Sequence, residues 1–181
     1  IVAYICYIFR CLFTGLSQGI QPVISYNYGI KEYERVKKTY RLGHIVTFLI
    51  SSSILLTVIF FGKHLVKLFN NDKALVDLAA HGLILFASAI IFQGANFINI
   101  SYLQSKGMTK LSNIISSLRS IVFFIISIIV LPLFLRETGV WLSLPASDLM
   151  CFIVSIIILR KELPFSFKFS KKKDKKKFIN L

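Results

Sequence analysis

The chain alternates long apolar blocks with short charged stretches, and the apolar blocks define the predicted elements. A bilayer core of about 30 Å requires about 20 mainly apolar residues per helix. Five blocks are suitable, at residues 1–24, 44–61, 75–103, 112–135 and 140–159. The second is short and the third is long, so we expect shifted ends or tilt there. The pattern predicts an all-α polytopic membrane protein with five transmembrane helices.

Composition supports the same class. Hydrophobic residues make up 55% of the 181-residue chain and charged residues 17%, and the mean hydropathy is +0.71. Soluble domains rarely reach such hydropathy, because their surfaces carry charge. The net charge of +14 is concentrated in stretches such as 31–41 and 171–177, which flank apolar blocks. No basic face is interleaved with exposed aromatic residues, so we expect no nucleic acid partner.

The positions of Lys and Arg predict domains and orientation. Residues 1–160 are expected to form the transmembrane bundle, and residues 161–181 a basic tail that either contacts anionic membrane lipid or stays solvated and disordered. One side of the predicted membrane carries sixteen Lys and Arg residues and the other carries four, or seven and four without the tail. Basic residues beside transmembrane helices favour the cytoplasmic side. The loops at 31–41 and 104–111 and the C-terminus should therefore be cytoplasmic.

The first predicted helix carries a polar stripe. Spacings of three and four residues place one set of side chains on the same face, and that set is Arg10, Thr14, Ser17, Gln18, Gln21 and Ser25. Gly15 and Gly19 form a GxxxG motif that permits close approach of another helix, and Pro22 interrupts the backbone hydrogen bonds near the helix end. The stripe is either a helix–helix contact or the wall of a water-filled pathway for substrate or ions, with Gln18 and Gln21 as candidates.

The third and fourth helices show the same pattern. Four uncharged polar groups of the third helix lie within about 140° on a wheel of 100° per residue, namely Ser88, Gln93, Asn96 and Asn99. They either line a cavity or form interhelical hydrogen bonds. Asn113 belongs to a polar face of the fourth helix and is a further pathway candidate. Arg119 points away from that face near the predicted cytoplasmic boundary, where it can snorkel, and we assign it a structural role.

The fifth helix contains one acidic residue at membrane depth. Asp148 follows Pro145 in GVWLSLPASD. A buried carboxylate is a candidate for proton exchange, because ionisable groups in membranes are rarely retained without function. The alternative, which we favour slightly, is that Asp148 bonds backbone groups freed by Pro145. The sequence has no HExxH motif, no serine–histidine signature and no phosphate-binding glycine loop, so we expect no enzymatic activity, metal site or cofactor.

Several motifs, taken in order, resemble the second half of a MATE (multidrug and toxic compound extrusion) transporter of the bacterial multidrug export branch. They are GLSQGIQPVISYNYG before the basic stretch 31–41, YLQSKGMTKLS, SSLRS, and LPLFL followed by GVWLSLPASD. Each motif is weak alone, but the combination is fairly specific. The resemblance makes Tyr26 and Gly29 part of the structural motif, together with the glycines, prolines and Arg119 named above.

This resemblance implies a fold and a function. Family members have twelve helices in two six-helix lobes and exchange sodium ions or protons for amphipathic, often cationic drugs. The five helices would be the eighth to the twelfth, in the bacterial plasma membrane. Some members use acidic residues in the second lobe, whereas the third helix here offers Gln93, Asn96 and Asn99, which puts ion coupling at that position in question.

The beginning of the chain suggests that it is a fragment. It opens with IVAYICYIFR, without an initiator Met or a charged leader, and we expect an N-terminal lobe to be missing. The intact parent would then export drugs, and this chain alone would not. Two alternatives remain: a lipid-linked oligosaccharide flippase of the same superfamily, which should show charged residues lining its cavity, and a membrane structural or assembly protein whose polar stripes serve packing.

Overall fold

A computed structural model describes residues 2–70 and 72–162, and every regular element in these ranges is helical. The elements are α1 (Val2–Gly29), α2 (Tyr33–Lys67), α3 (Lys73–Ala87), α4 (Ala89–Ser105), α5 (Thr109–Ser117), a π-helical segment (Leu118–Phe123) and α6 (Phe124–Glu162). The all-α fold class is therefore confirmed. The predicted basic tail lies outside the described residues from residue 163 onwards.

The chain reverses direction within α6. Arg136 has a φ of 49° and a ψ of −127°, which no α-helix contains. The Ser143 hydroxyl donates to the Ser127 carbonyl oxygen across this point, at 3.4 Å. A straight helix would separate these two residues by about 24 Å, because each residue adds 1.5 Å. We therefore divide α6 into a first arm, 124–135, and an antiparallel second arm, 137–162.

Within residues 2–70 and 72–162, three helical stretches are long and apolar enough to cross a membrane: Tyr33–Lys67, Lys73–Ser105 and Thr109–Arg160. The third stretch contains the reversal at Arg136, so it includes two of the predicted helices. Helix α1 is not among the three, in keeping with its polar stripe. The class of multi-pass membrane protein follows from these stretches, whereas the number of five spans stays a prediction.

The helices extend beyond the apolar blocks that predicted them. Helix α2 begins at Tyr33, well before the expected start at residue 44, so most of the stretch 31–41 is helical and not a loop. Hydropathy marks only the part of a helix that lies in hydrocarbon, and a helix continues past it while its backbone hydrogen bonds persist. Lys31, with a φ of 61°, forms the tight turn between α1 and α2.

The predicted third helix, 75–103, corresponds to α3 and α4, which meet at Ser88. The Asp72 carboxylate caps the start of α3 by accepting from the Leu75 amide at 3.0 Å. The Ser88 hydroxyl donates to the Leu85 carbonyl oxygen at 2.7 Å, where the two helices join. A serine that bonds back to the preceding turn is a common cause of bending in membrane helices.

Two buried apolar clusters hold the bundle together. One joins α1 to α2, α3 and α4 and contains Val2, Ile5, Phe13, Ile54, Val58, Val66, Val76, Ala80, Leu83, Ala87 and Ile90. The other joins α1, α2 and α4 to α5 and the second arm of α6 and contains Ile24, Val36, Tyr102, Leu103, Ile115, Cys151 and Leu159. Helices α1, α2 and α4 belong to both clusters, so they form the common framework of the bundle against which the charged groups described below are placed.

Candidate functional site

A buried ion pair joins the π-helical segment to the second arm of α6. Arg119 Nε donates to Asp148 Oδ1 at 2.5 Å, and the two side chains are 9% and 0% exposed. Asn96 of α4 donates from Nδ2 to the Asp148 backbone oxygen at 2.9 Å and lies 3.5 Å from Oδ1. Buried charges are stable only when they are paired and hydrogen-bonded. These three residues therefore fix the relative positions of the three elements that carry them.

The structure corrects the interpretation of Arg119. This residue was expected to point away from the polar face and to snorkel, but its side chain is buried against Asp148. Arg119 does point away from the predicted polar face: Asn113, Ser117 and Ser120 are exposed, whereas Arg119 shares the buried side of the helix with Ser112 and Ile115. Snorkelling was the wrong expectation, because this buried side of the helix faces Asp148.

The favoured interpretation of Asp148 was also wrong. Its carboxylate was expected to bond backbone groups freed by Pro145, but the partners of Asp148 Oδ1 are the side chains of Arg119 and Asn96. Pro145 is buried inside the second arm of α6, one turn before Asp148. A guanidinium in a low-dielectric interior attracts a carboxylate more strongly than a neutral amide does, and only the fold brings these residues together.

A cavity of about 360 Å³ lies beside the ion pair, between α1, α3, α4, the π-helical segment and both arms of α6. Its lining consists of Cys6, Tyr7, Arg10, Phe86, Gln93, Arg119, Ser120, Phe124, Leu144, Ser147 and Asp148. Aromatic and aliphatic side chains with a few polar groups are typical of sites for small organic molecules. No three His, Cys, Asp or Glu side chains of the described ranges are grouped so that they could hold a metal ion.

The charge in this lining is unbalanced. Two guanidinium groups flank the Phe97 ring, with Arg10 Cζ 5.8 Å and Arg119 Cζ 5.0 Å from the ring centroid. Both distances are within the range of cation–π attraction. Among the residues that the structure describes, Asp148 is the one acidic residue of the lining, and Arg is effectively always protonated. The described lining therefore has one more positive than negative side chain.

Two buried oxygen atoms at the ion pair have no hydrogen-bond donor among the described residues. Asn96 Oδ1 and Asp148 Oδ2 accept no hydrogen bond from any residue that the structure describes. Leaving a buried acceptor unsatisfied costs about 1–3 kcal/mol, so such atoms usually meet water, a proton or a ligand. Both atoms belong to the group of residues that fixes Arg119 beside the cavity.

The remaining polar residues of α4 divide between cavity and packing. Gln93 lines the cavity. Asn99 instead joins three helices: the Tyr40 hydroxyl donates to Asn99 Oδ1 at 2.7 Å, and Asn99 Nδ2 donates to the Ser155 hydroxyl at 2.8 Å. His44 Nε2 lies 3.1 Å from the same Asn99 oxygen. Asn99 thus forms interhelical hydrogen bonds, one of its two expected roles, whereas Tyr40 and Ser155 could not be identified as its partners because they lie far from it in the chain.

The candidates on α1 have different surroundings. Gln21 Nε2 donates to Gln104 Oε1 at 2.8 Å, which is the helix–helix contact proposed as one alternative, whereas Gln18 is exposed. No described atom of another helix lies within 4 Å of the position that a Cβ would take at Gly15 or Gly19, so no close helix approach occurs there in the described ranges. The other predicted motif and pathway residues that are exposed are Pro22, Tyr26, Gly29 and Asn113.

The family is shown by sequence. The family model MatE matches residues 1–130, more than two thirds of the chain. The chain therefore belongs to the MatE family, whose members are not enzymes, and it is a multi-pass membrane protein. The resemblance seen in the sequence motifs is confirmed.

Curated relatives are bacterial multidrug export proteins. The chain is 27% identical over 145 residues to the multidrug export protein MepA of Staphylococcus aureus and 25% identical over 146 residues to MepA of Staphylococcus saprophyticus. In both cases the match covers 80% of this chain and 32% of the relative. The chain thus spans about a third of the length of these relatives.

Solved structures show the same fold. The MATE multidrug transporter DinF-BH, solved in complex with the dye rhodamine 6G, superposes with a TM-score of 0.76 at 29% identity, over 83% of this chain and 34% of that protein. An inward-facing multidrug resistance MATE family transporter of the MOP superfamily superposes with a TM-score of 0.82 over 94% of this chain and 40% of its own length. Its identity of 17% makes it evidence for the fold alone.

Proposed function

We propose that this chain is most of the second lobe of a twelve-helix multidrug exporter. The match to MatE and the similarity to staphylococcal multidrug export proteins, each about three times as long as the match, support this assignment. The missing partner is then an N-terminal lobe together with the first helix of this lobe. The coding sequence upstream of Ile1 should encode seven further apolar segments.

The observation that carries the proposal is the cavity beside the buried Arg119–Asp148 pair. Its volume of about 360 Å³ is at the lower end of the range for small-molecule sites, and Tyr7, Phe86 and Phe124 add aromatic surface to its polar lining. A buried ion pair within an apolar bundle is costly to maintain, and charged residues at membrane depth usually mark a pathway. The intact transporter would bind amphipathic drugs between its lobes, with this cavity as part of the wall.

Export would be driven by exchange for sodium ions or protons. Asp148 is the buried acidic residue that this chain can contribute, but Arg119 already holds it, so the coupling carboxylates would lie mainly in the missing lobe. The excess of basic residues favours a cytoplasmic position for the 104–111 stretch and the C-terminus. The transporter would lie in the bacterial plasma membrane in contact with membrane lipid.

A lipid-linked oligosaccharide flippase is the second candidate, and one observation favours it. Such a protein needs charged residues in its cavity to meet a pyrophosphate, and Arg10 and Arg119 both line the cavity. The ion pair with Asp148 neutralises one of the two, which leaves little positive charge for a doubly charged headgroup. Drug export therefore remains the preferred proposal.

Transport by the complete protein tests both candidates. Cells that lack their own drug exporters would express the complete coding sequence, and accumulation of rhodamine 6G would be followed after an imposed proton or sodium gradient. We expect lower accumulation than in cells with an empty vector, and dependence on one of the two gradients. Accumulation equal to the vector control under both gradients would contradict drug export, and rescue of a flippase-deficient strain would then favour the alternative.

A further inference from the structure

Arg10 is the charged residue of the cavity that forms no ion pair with a described carboxylate. Three ion pairs occur in residues 2–70 and 72–162, and none involves Arg10. Its guanidinium instead lies over the face of Phe97. Arg119, the other cationic group of the lining, is held by Asp148. Arg10 is therefore the group that remains available to an anion.

Arg10 belongs to the polar stripe of α1, and its side chain is exposed in the described structure. In the complete protein, an arginine within an apolar helix is expected to face protein or a water-filled cavity. Here it faces a cavity whose lining includes the rings of Tyr7, Phe86 and Phe124. A cation beside a group of aromatic rings is suited to a ligand that has an acidic group on an apolar body.

We propose that Arg10 binds the carboxylate of amphipathic anions or zwitterions while the neighbouring aromatic side chains hold their ring systems. The inference rests on the proposed export function and narrows its substrate class. Arg presents two parallel N–H groups that match the two oxygens of a carboxylate. Arg119 has a positioning role, because its pairing with Asp148 leaves Arg10 as the remaining positive charge of the described lining.

Two dyes that differ in one group test the proposal. Rhodamine 6G is a cationic ring system whose carboxyl group is an ethyl ester, and its de-esterified acid has the same rings with a free carboxylate. The dissociation constants of both dyes would be measured by fluorescence polarisation on the complete protein in detergent. The variants are Arg10→Gln, Arg10→Lys and, as a matched control, Arg41→Gln, because Arg41 is exposed near the start of α2 and outside the cavity.

The expected result is selective. Arg10→Gln should weaken binding of the acid at least about tenfold, since hydrogen bonds to charged groups contribute about 1.5–3 kcal/mol. It should leave binding of the ester within about twofold of the unsubstituted protein or slightly tighter, because a positive charge has been removed. Arg10→Lys should recover part of the loss, and Arg41→Gln should change neither dye.

Two results would overturn the inference and leave the proposed function intact. If Arg10→Gln binds each dye as tightly as the unsubstituted protein does, Arg10 does not contact the carboxylate. Equal weakening of both dyes would show that Arg10 pairs with a carboxylate elsewhere in the complete protein and supports the fold. If the unsubstituted protein neither binds nor exports rhodamine 6G, the proposed function fails and the inference fails with it.

Discussion

Because Arg119 and Asp148 form a buried ion pair, we predict that substitutions of the two residues have strongly non-additive effects on the free energy of unfolding. Asp148→Asn keeps the shape of the side chain and removes its charge, so a guanidinium that is 9% exposed is left without its counter-charge. Arg119→Gln leaves the fully buried carboxylate unpaired in the same way. Removing one partner of a buried ion pair typically costs about 3–5 kcal/mol. Contact with the cavity gives Arg119 access to water, so we expect about 3 kcal/mol for each substitution.

The double variant should be no less stable than either single variant. When both charges are absent, no uncompensated charge remains, and the two introduced amide side chains can share a neutral hydrogen bond. Independent effects would add to about 6 kcal/mol, whereas pairing predicts about 3 kcal/mol or less for the double variant. The free energy of unfolding would be measured by SDS titration of the complete protein in mixed micelles, followed by circular dichroism.

Two outcomes of this titration would contradict the prediction. If the double variant loses the sum of the two single losses, the residues act independently and do not form the pair described here. If each single variant loses less than about 1 kcal/mol, the charges are solvated and the site is open to bulk water. A substitution of the exposed ion pair between Lys63 and Asp77 provides the matched control, because its side chains are 66% and 65% exposed and it should contribute little.

Two further predictions concern packing and use the same unfolding assay. A Cβ at Gly82 would lie 2.6 Å from Trp141 Cε2, so Gly82→Ala should cost about 1–3 kcal/mol. Gly15→Ala should cost less than about 0.5 kcal/mol, because no described atom of another helix lies within 4 Å of that Cβ position. Equal losses would contradict the packing of α3 against α6. Asn99→Leu should cost about 2 kcal/mol more than Tyr40→Phe. The substitution of Asn99 leaves several polar partners unsatisfied, whereas the substitution of Tyr40 removes one hydrogen-bond donor. Equal losses would contradict the hydrogen-bond network around Asn99.

Hydropathy predicted the class of the fold because membrane helices are selected for apolar length. The apolar blocks identified where helices lie, and the third block, 75–103, matches α3 and α4 closely. The ends of the short second block, 44–61, are shifted in α2 to Tyr33 and Lys67. A helix that leaves the bilayer keeps its backbone hydrogen bonds and loses its hydropathy signal, so the extent of the shift could not be predicted. The turn at Arg136 was anticipated as a gap between blocks, although its backbone geometry could not be read from composition.

The candidate site was only partly predictable. Gln93 and Asp148 were identified as polar groups at membrane depth, and both line the cavity. Arg119 was expected to snorkel because the sequence did not show that its side of the helix faces the bundle, where Asp148 of another helix pairs with it. The use of Asn99 for packing and Gln93 for the cavity depends on which helices are adjacent, which one sequence does not specify.

Filling the cavity tests most directly whether it belongs to a transport pathway. Ser120 lines the cavity, so Ser120→Trp would occupy much of it, whereas Ser53 is an exposed serine of α2 whose hydroxyl bonds its own helix, which makes Ser53→Trp the matched control. Both variants of the complete protein would be checked for membrane insertion and for a single peak on size-exclusion chromatography before export of rhodamine 6G is measured. We predict that Ser120→Trp abolishes export and that Ser53→Trp retains it. Export by a correctly folded Ser120→Trp variant at the rate of the unsubstituted protein would contradict a role of this cavity in transport.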